Sequence, residues 1–158
     1  MAIRRIREMG DEILEKVCKE VPKMTLRTSV LIDDMLDTMY DAMGVGLAAP
    51  QVGILKRIVV IDVGAGPLVL INPEILETSG EQTGEEGCLS VPGKYGIVTR
   101  PEHVKFRALN EQMEEYEMEA EGLLARAVCH ELDHLDGHLY VDKTEDGLHD
   151  VENGDDEA

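Results

Sequence analysis

The sequence predicts an α+β fold, with mainly antiparallel sheets around a central helix that carries HELDH at 130–134 and one amphipathic helix near the N-terminus. Three observations carry that reading. Apolar residues recur at helical steps in two well-separated places, short β-branched runs fill the interval between them, and helices and strands never alternate in the order that a parallel sheet needs.

The elements follow in order. In "GDEILEKVCKEV", Asp11 can cap a short helix or turn that puts Ile13, Leu14, Val17 and Cys18 on one side. From Thr25 to Met43, the residues Ile32, Met35, Leu36, Met39 and Met43 recur at three- and four-residue steps, an amphipathic helix that Gly44 ends. "RIVVIDV" and "LVLINP" are strands separated by the break "GAGP". In "VKFRALNEQMEEYEMEA", Val104, Phe106 and Ala108 point one way, and Tyr116, Met118 and Ala120 do so beyond "NEQM". Paired antiparallel, these strands set Lys105 and Arg107 against the row Glu115, Glu117 and Glu119, which explains the charge run without a function. The last helix runs from about Leu123 to a terminal Gly137.

A chain of 158 residues, 43% hydrophobic, forms one domain with a core that needs no disulfides. Cysteines at 18, 88 and 129 are odd in number and widely spaced, and "MAIRRIREMG" lacks the apolar core of a signal peptide, so the expected location is cytoplasmic. No apolar run approaches the roughly 20 residues of a membrane helix. The formal charge is −18, with seven acids and no Lys or Arg in the last fifteen residues. Residues 1–143 are therefore read as the catalytic domain and 144–158 as an acidic tail without regular structure. So acidic a chain does not grip a phosphate backbone, which excludes bulk nucleic-acid binding.

His130, Glu131 and His134 form H-E-x-x-H, which stacks two imidazoles on one helix face beside a carboxylate. A polar surface helix is the competing explanation. A catalytic metal needs a third protein ligand and an open position. Cys129 points about 100° away from His130 and reads as core, like Cys18; His138 follows the helix-ending Gly137, and His103 and His149 lie in polar sequence. Cys88 is the better candidate, because "GEEGCLSVPG" has the glycines to turn sharply beside a ligand. Two nitrogens and one sulfur suit zinc or ferrous iron, and Glu131 is placed to take a proton from water. "GVGLAA" at 44–49 formally satisfies a dinucleotide fingerprint with Asp62 behind it, but a helix precedes it and a strand follows, the reverse of what that fingerprint requires.

Taken together, "GVGLAAPQVG" at 44–53, "EEGCLS" at 85–90 and "HELDH" at 130–134 match G-x-G-x-A-A-x-Q, E-G-C-x-S and H-E-x-D-H in order and spacing. The chain thus resembles the peptide deformylase family across nearly the whole domain. The resemblance implies hydrolysis of the formyl group from N-terminal formyl-methionine of new polypeptides, with transient ribosome association and one divalent metal, Fe2+ first and Zn2+ or Ni2+ as replacements. It implies Cys88, His130 and His134 as ligands, Glu131 as general base and then acid, and Gln51 (side-chain amide) and Leu89 (backbone N–H) as oxyanion donors. Gly44 and Gly46 either admit substrate backbone or only cap and turn; Val45, Leu123 and Ala127 occupy positions implied to hold the methionine side chain. Arg126 stands where an apolar residue is common in some relatives, its stem able to cover the pocket while its charge reaches solvent. Arg100 matches a position near the peptide's path or is a surface arginine, and Asp133 either supports the site or is solvated. The rival readings are another H-E-x-x-H amidase or peptidase, which leaves Gln51 and Cys88 without a reason, and a non-catalytic metal-binding module.

Overall fold

The structure, a computed structural model, describes residues 2–151. Asp11 caps a single 3-10 turn, Glu12–Glu15, by accepting from the Ile13 amide. Helix α1 (Leu26–Asp41) starts at Thr25, whose hydroxyl accepts from the Thr28 amide at 3.1 Å. It stops at Asp41, and Met43 rather than Gly44 takes the left-handed turn, at φ 58°.

The chain then enters β1 (Gly46–Ala48), a 3-10 turn at Ala49–Val52, and strands β2 (Ile58–Ile61) and β3 (Leu68–Ser79). A hairpin of β4 (Gln82–Cys88) and β5 (Val91–Arg100) follows, then a second of β6 (His103–Leu109) and β7 (Glu115–Glu121). Helix α2 (Leu123–Leu135) comes next, and β8 (Thr144–Asp150) is the final strand described. One sheet has the order β1-β2-β3-β6-β7 and the other β4-β5-β8, all pairs antiparallel.

The larger sheet is sandwiched between the helices, and β2 shows why. Its four residues are all buried: Val59 and Ile61 pack with Val128, Leu132 and Leu135 of α2, while Ile58 and Val60 pack with Leu31, Ile32, Met35 and Met39 of α1. A strand covered on both faces reads as a continuous apolar run, as "IVVI" does. The β6–β7 hairpin, covered on one face, alternates instead. Val104 pairs Ala120, Phe106 pairs Met118 and Ala108 pairs Tyr116 inward, with Lys105 opposite Glu119 and Arg107 opposite Glu117 outward.

Two segments depart from the sequence-based expectation. Residues 144–150, expected to lack regular structure, form β8 on the edge of β5. Apolar periodicity is absent there because most of the strand is exposed and its hold is the backbone ladder. Side chains help at one end, where Tyr95 stacks on His149 at 5.2 Å and Lys94 pairs with Asp150. Gly96 lets β8 come close, since a Cβ there would meet Thr144 Cγ2 at 2.2 Å. The rest of the expected tail, 152–158, lies outside the described residues. The β4–β5 hairpin is the second: a stretch read for its glycines forms antiparallel strands on both sides of the Leu89–Ser90 turn, with a register shift between Glu86 and Cys88.

The N-terminal segment ties the pieces around the site together. The Arg7 amide donates to the Gln51 carbonyl and the Met9 amide to the Ser90 carbonyl, both at 2.7 Å, clamping the turn after β1 to the tip of the β4–β5 hairpin. Among the described residues no helix is long and apolar enough to cross a membrane.

Candidate active site

Helix α2 presents Leu123, Arg126, Ala127, His130 and Glu131 to a cavity of about 430 Å³. These positions share one helix face by their spacing, so the chemical groups and the pocket wall lie on a single rigid element. Across the cavity stand Cys88 and Leu89 at the tip of the hairpin, Gly44, Val45 and Gly46 leading into β1, and Gln51. Antiparallel pairing of Cys88 with Val91 fixes the tip, and the buried α2 core fixes the opposite wall.

Three ligand-type groups converge. The donor atoms of Cys88, His130 and His134 lie within 4.8 Å of one another, and Cys88 Sγ is 3.3 Å from His134 Nε2. His130 Nδ1 sits 2.6 Å from Glu86 Oε2, so Nδ1 carries a proton, and a cation at the cluster would take the place of the proton on Nε2. Burial alone would raise Glu86, but the hydrogen bonds from His130 and Arg100 bring it down to about 2. The imidazoles are pushed in opposite directions. Burial works to lower both; in His130 Glu131 and Cys88 overcome it and raise the group well above the ordinary value, whereas in His134 the charge of His130 adds to it.

A divalent cation fits this cluster. A half-buried thiol and two buried imidazoles, at separations compatible with metal–sulfur distances of about 2.3 Å and metal–nitrogen distances of about 2.0–2.1 Å, would hold such a cation as three protein ligands. Two buried atoms beside it, His134 Nδ1 and Glu131 Oε1, have no hydrogen-bond partner among the described residues. Of the two, Glu131 lines the cavity, so its oxygen is a buried polar group that a molecule in the cavity can satisfy.

Glu131 is 4% exposed, and burial pushes it up to about 7 against the pull of His130. Its carboxylate lies hard against β1, where a Cβ on Gly46 would come 2.5 Å from Oε2. On Gly44 a Cβ would stand 2.7 Å from Leu89 Cδ1. A Cβ at either position would therefore force the end of a site side chain, Leu89 or Glu131, to shift. Gln51 is held from both ends. Its Oε1 accepts from the Ala48 amide at 2.9 Å, which aims Nε2 at Ser90 Oγ, 3.0 Å away, and toward Cys88 Sγ at 3.6 Å.

Of the residues expected at a site, Gly44, Val45, Gly46, Gln51, Cys88, Leu89, Leu123, Ala127, His130 and Glu131 all line this cavity, and His134 reaches it through the cluster with Cys88. Arg100 does not. It is 5% exposed behind α2, where its guanidinium grips Glu86 at 2.6 and 3.1 Å and Asp133 at 2.8 Å. A long cation beside two buried or half-buried carboxylates lowers its free energy by pairing inward, which overrides the surface placement. Arg126 also turns its charge inward, 2.8 Å from Glu86 Oε1, rather than to solvent. Cys129 packs in the core cluster with Val128 and Leu132, and His138 is exposed. Burial pushes the Cys129 thiol up to about 11, as it does Cys18. Cys129→Ser is accordingly expected to leave metal content per chain unchanged by elemental analysis; loss of the metal would place this thiol among the ligands.

Sequence reading missed Glu86, Ser90 and Tyr140. Glu86 follows another glutamate in a strand, where neighbours face opposite sides, and nothing in "GEEGC" says which of the two turns inward. Ser90 is fully buried beneath Gln51, and the Tyr140 ring lies 5.9 Å from that of His130.

An α+β fold that brings a thiol, two imidazoles, a carboxylate and a carboxamide to one cavity has the construction of a metal-dependent hydrolase. The sequence matches the polypeptide deformylase family over residues 3–148, and the chain belongs to that family. It is 70% identical to a peptide deformylase of Agathobacter rectalis over 151 residues, covering 96% of each chain. It is similar in structure to a peptide deformylase from Thermotoga maritima (TM-score 0.89, 45% identity, 90% of this chain and 98% of that one). It is likewise similar to one from Legionella pneumophila (TM-score 0.88, 47% identity, 91% and 87%). The protein is thus a metal-dependent hydrolase of protein biosynthesis, removing the N-terminal formyl group of new polypeptides as formate.

Proposed function

We propose that Cys88, His130 and His134 hold one divalent metal, Fe2+ in preference to Zn2+ or Ni2+, that Glu131 moves the proton and that Gln51 and Leu89 receive the oxyanion. The observation that carries this is the meeting of the hairpin-tip thiol with two imidazoles of α2 beside a buried carboxylate that lacks a partner on Oε1. A bound cation supplies Lewis acidity, lowering the pKa of water and polarising a carbonyl.

The chain's own groups supply the rest. Glu131 takes the proton of the attacking water and returns it to the departing amine, so one carboxylate serves as base and then acid. The Gln51 amide is fixed in orientation: with Oε1 tied to Ala48 and one N–H of Nε2 on Ser90 Oγ, the second N–H, which points toward Cys88 Sγ, is the one that turns to the developing oxyanion. The Leu89 backbone N–H acts with it from the hairpin tip. Glu86 is a positioning residue that fixes the His130 tautomer and ring plane. Val45, Leu123 and Ala127 form the apolar part of the wall for the methionine side chain, with the stem of Arg126.

The metal preference is tested by turnover of a formyl-methionyl tripeptide at equal occupancy of each ion under anaerobic conditions. The iron form is expected to be fastest and to fade on exposure to air; a zinc form that matches it overturns the preference. Gly46→Ala is expected to lower kcat/KM at least about tenfold by pushing Glu131 aside, with the melting temperature little changed; an unaltered kcat/KM would show that Glu131 needs no such fit.

Substrates emerging in the cytoplasm imply transient contact with the ribosome. Acidic residues beyond Val151 oppose rather than aid contact with ribosomal RNA. Deleting 152–158, which spares β8, is expected to leave co-sedimentation with ribosomes undiminished, and a tenfold loss would refute this.

A further inference from the structure

The apolar wall of the cavity has a polar member that methionine does not need. Arg126 lies one helical turn from both Leu123 and His130 on the α2 face, and its side chain is 10% exposed where it borders the cavity. Of the five N–H bonds of a guanidinium, the described residues accept two: Nη1 donates to Glu86 Oε1 at 2.8 Å and Nη2 to the Gln82 carbonyl at 3.4 Å. Nε has no partner among the described residues yet is not among the buried polar atoms without one, so that N–H reaches open space. Between those two partners on β4 lies Gly84, which carries no side chain; a Cβ there would sit 3.7 Å from Nη2. The ion pair with Glu86, itself 4% exposed, keeps the group from swinging away and cancels its net charge.

We propose that Arg126 makes this pocket accept a neutral hydrogen-bond acceptor at the tip of the first side chain, so that formyl-methionine sulfoxide is a substrate alongside formyl-methionine. This rests on the reading that the cavity holds the first residue's side chain. The sulfoxide has nearly the length of methionine but carries an S=O dipole. In a wholly apolar pocket that dipole loses water and gains nothing, a penalty of about 100-fold. Here it meets a fixed cationic donor, and a charge-assisted hydrogen bond offsets the lost hydration. A carboxylate at the same depth is refused, because Glu85, Glu86 and Glu131 all line the cavity and the two basic side chains there, Arg126 and Lys94, are already paired with Glu86 and Asp150. The reaction is unchanged: water adds, the formamide C–N bond breaks, and formate and the free amine leave.

The test compares kcat/KM for tripeptides that begin with formyl-methionine, both sulfoxide epimers of it, formyl-norleucine and formyl-glutamate, using metal-loaded wild type and Arg126→Met. Wild type is expected to hydrolyse at least one epimer within about tenfold of formyl-methionine and formyl-glutamate more than about 100-fold more slowly. In Arg126→Met the sulfoxide-to-norleucine ratio is expected to fall at least about tenfold. Because each ratio is taken within one protein, changes in overall rate or metal fit cancel. A wild-type deficit above 100-fold for both epimers, equal use of glutamate and sulfoxide, or an unchanged ratio in the variant would each overturn the proposal. Should Arg126→Met not fold, the wild-type comparison alone decides. Wild type that turns over neither formyl-methionine nor formyl-norleucine refutes the underlying reading instead.

Discussion

Glu131→Gln is expected to lower formate release about 100- to 10,000-fold with one metal ion still bound per chain. The substitution keeps the shape of the side chain and removes only its ability to exchange a proton. Its environment argues for that role over a structural one. The carboxylate is 4% exposed, Oε1 has no partner among the described residues, and burial raises the group to about 7, where it can both accept and return a proton near neutral pH. A structural carboxylate at this depth would be paired on both oxygens, as Glu86 is. Formate release and elemental analysis on the same preparation check the expectation. Activity within tenfold of wild type would remove Glu131 from the chemistry.

Glu86→Ala is expected to cost about 3–5 kcal/mol of unfolding free energy, the largest stability effect of any single change at the site. One carboxylate receives Arg100 through two nitrogens, Arg126 through one and His130 through Nδ1. Removing it leaves two buried cations with fewer partners, since Arg100 retains Asp133 and Arg126 retains only the Gln82 carbonyl. The pH dependence follows from the direction of the shift. Glu86 is depressed to about 2 in the folded chain, against about 4.3 when unfolded, so its contribution is complete above the unfolded value and lost as pH falls toward 2. The gap between wild type and variant in urea unfolding should therefore be constant from about pH 5 to 8 and close below about pH 4. A gap under about 1 kcal/mol at neutral pH would mean that water replaces the carboxylate at little cost.

Much of this was legible from residue pattern. Period-two alternation in "VKFRAL" and "EYEMEA" anticipated the pairs Val104–Ala120 and Phe106–Met118, because a sheet with one covered face must sort its residues. The four-residue step from His130 to His134 set two imidazoles on the face of α2 that meets Cys88. Cys88 itself stood out by its glycine-rich neighbourhood, while Gln51 and Leu89 were reached only through the resemblance. What pattern did not carry was long-range charge pairing. Sequence places Arg100 near the peptide's path or on the surface, yet its partners Glu86 and Asp133 are 14 and 33 positions away, brought together by the packing of the hairpin on α2. The strand at 144–150 escaped notice for a related reason: an exposed edge strand is held by its neighbour's backbone, which leaves no trace in its own hydropathy.

Formamide hydrolysis at a three-ligand metal site is the central claim. Its most direct test is formate released from a formyl-methionyl tripeptide by protein loaded anaerobically with one ferrous ion per chain. One formate for each unblocked methionine formed is the expected result. No formate, with the metal present at one per chain, would contradict it.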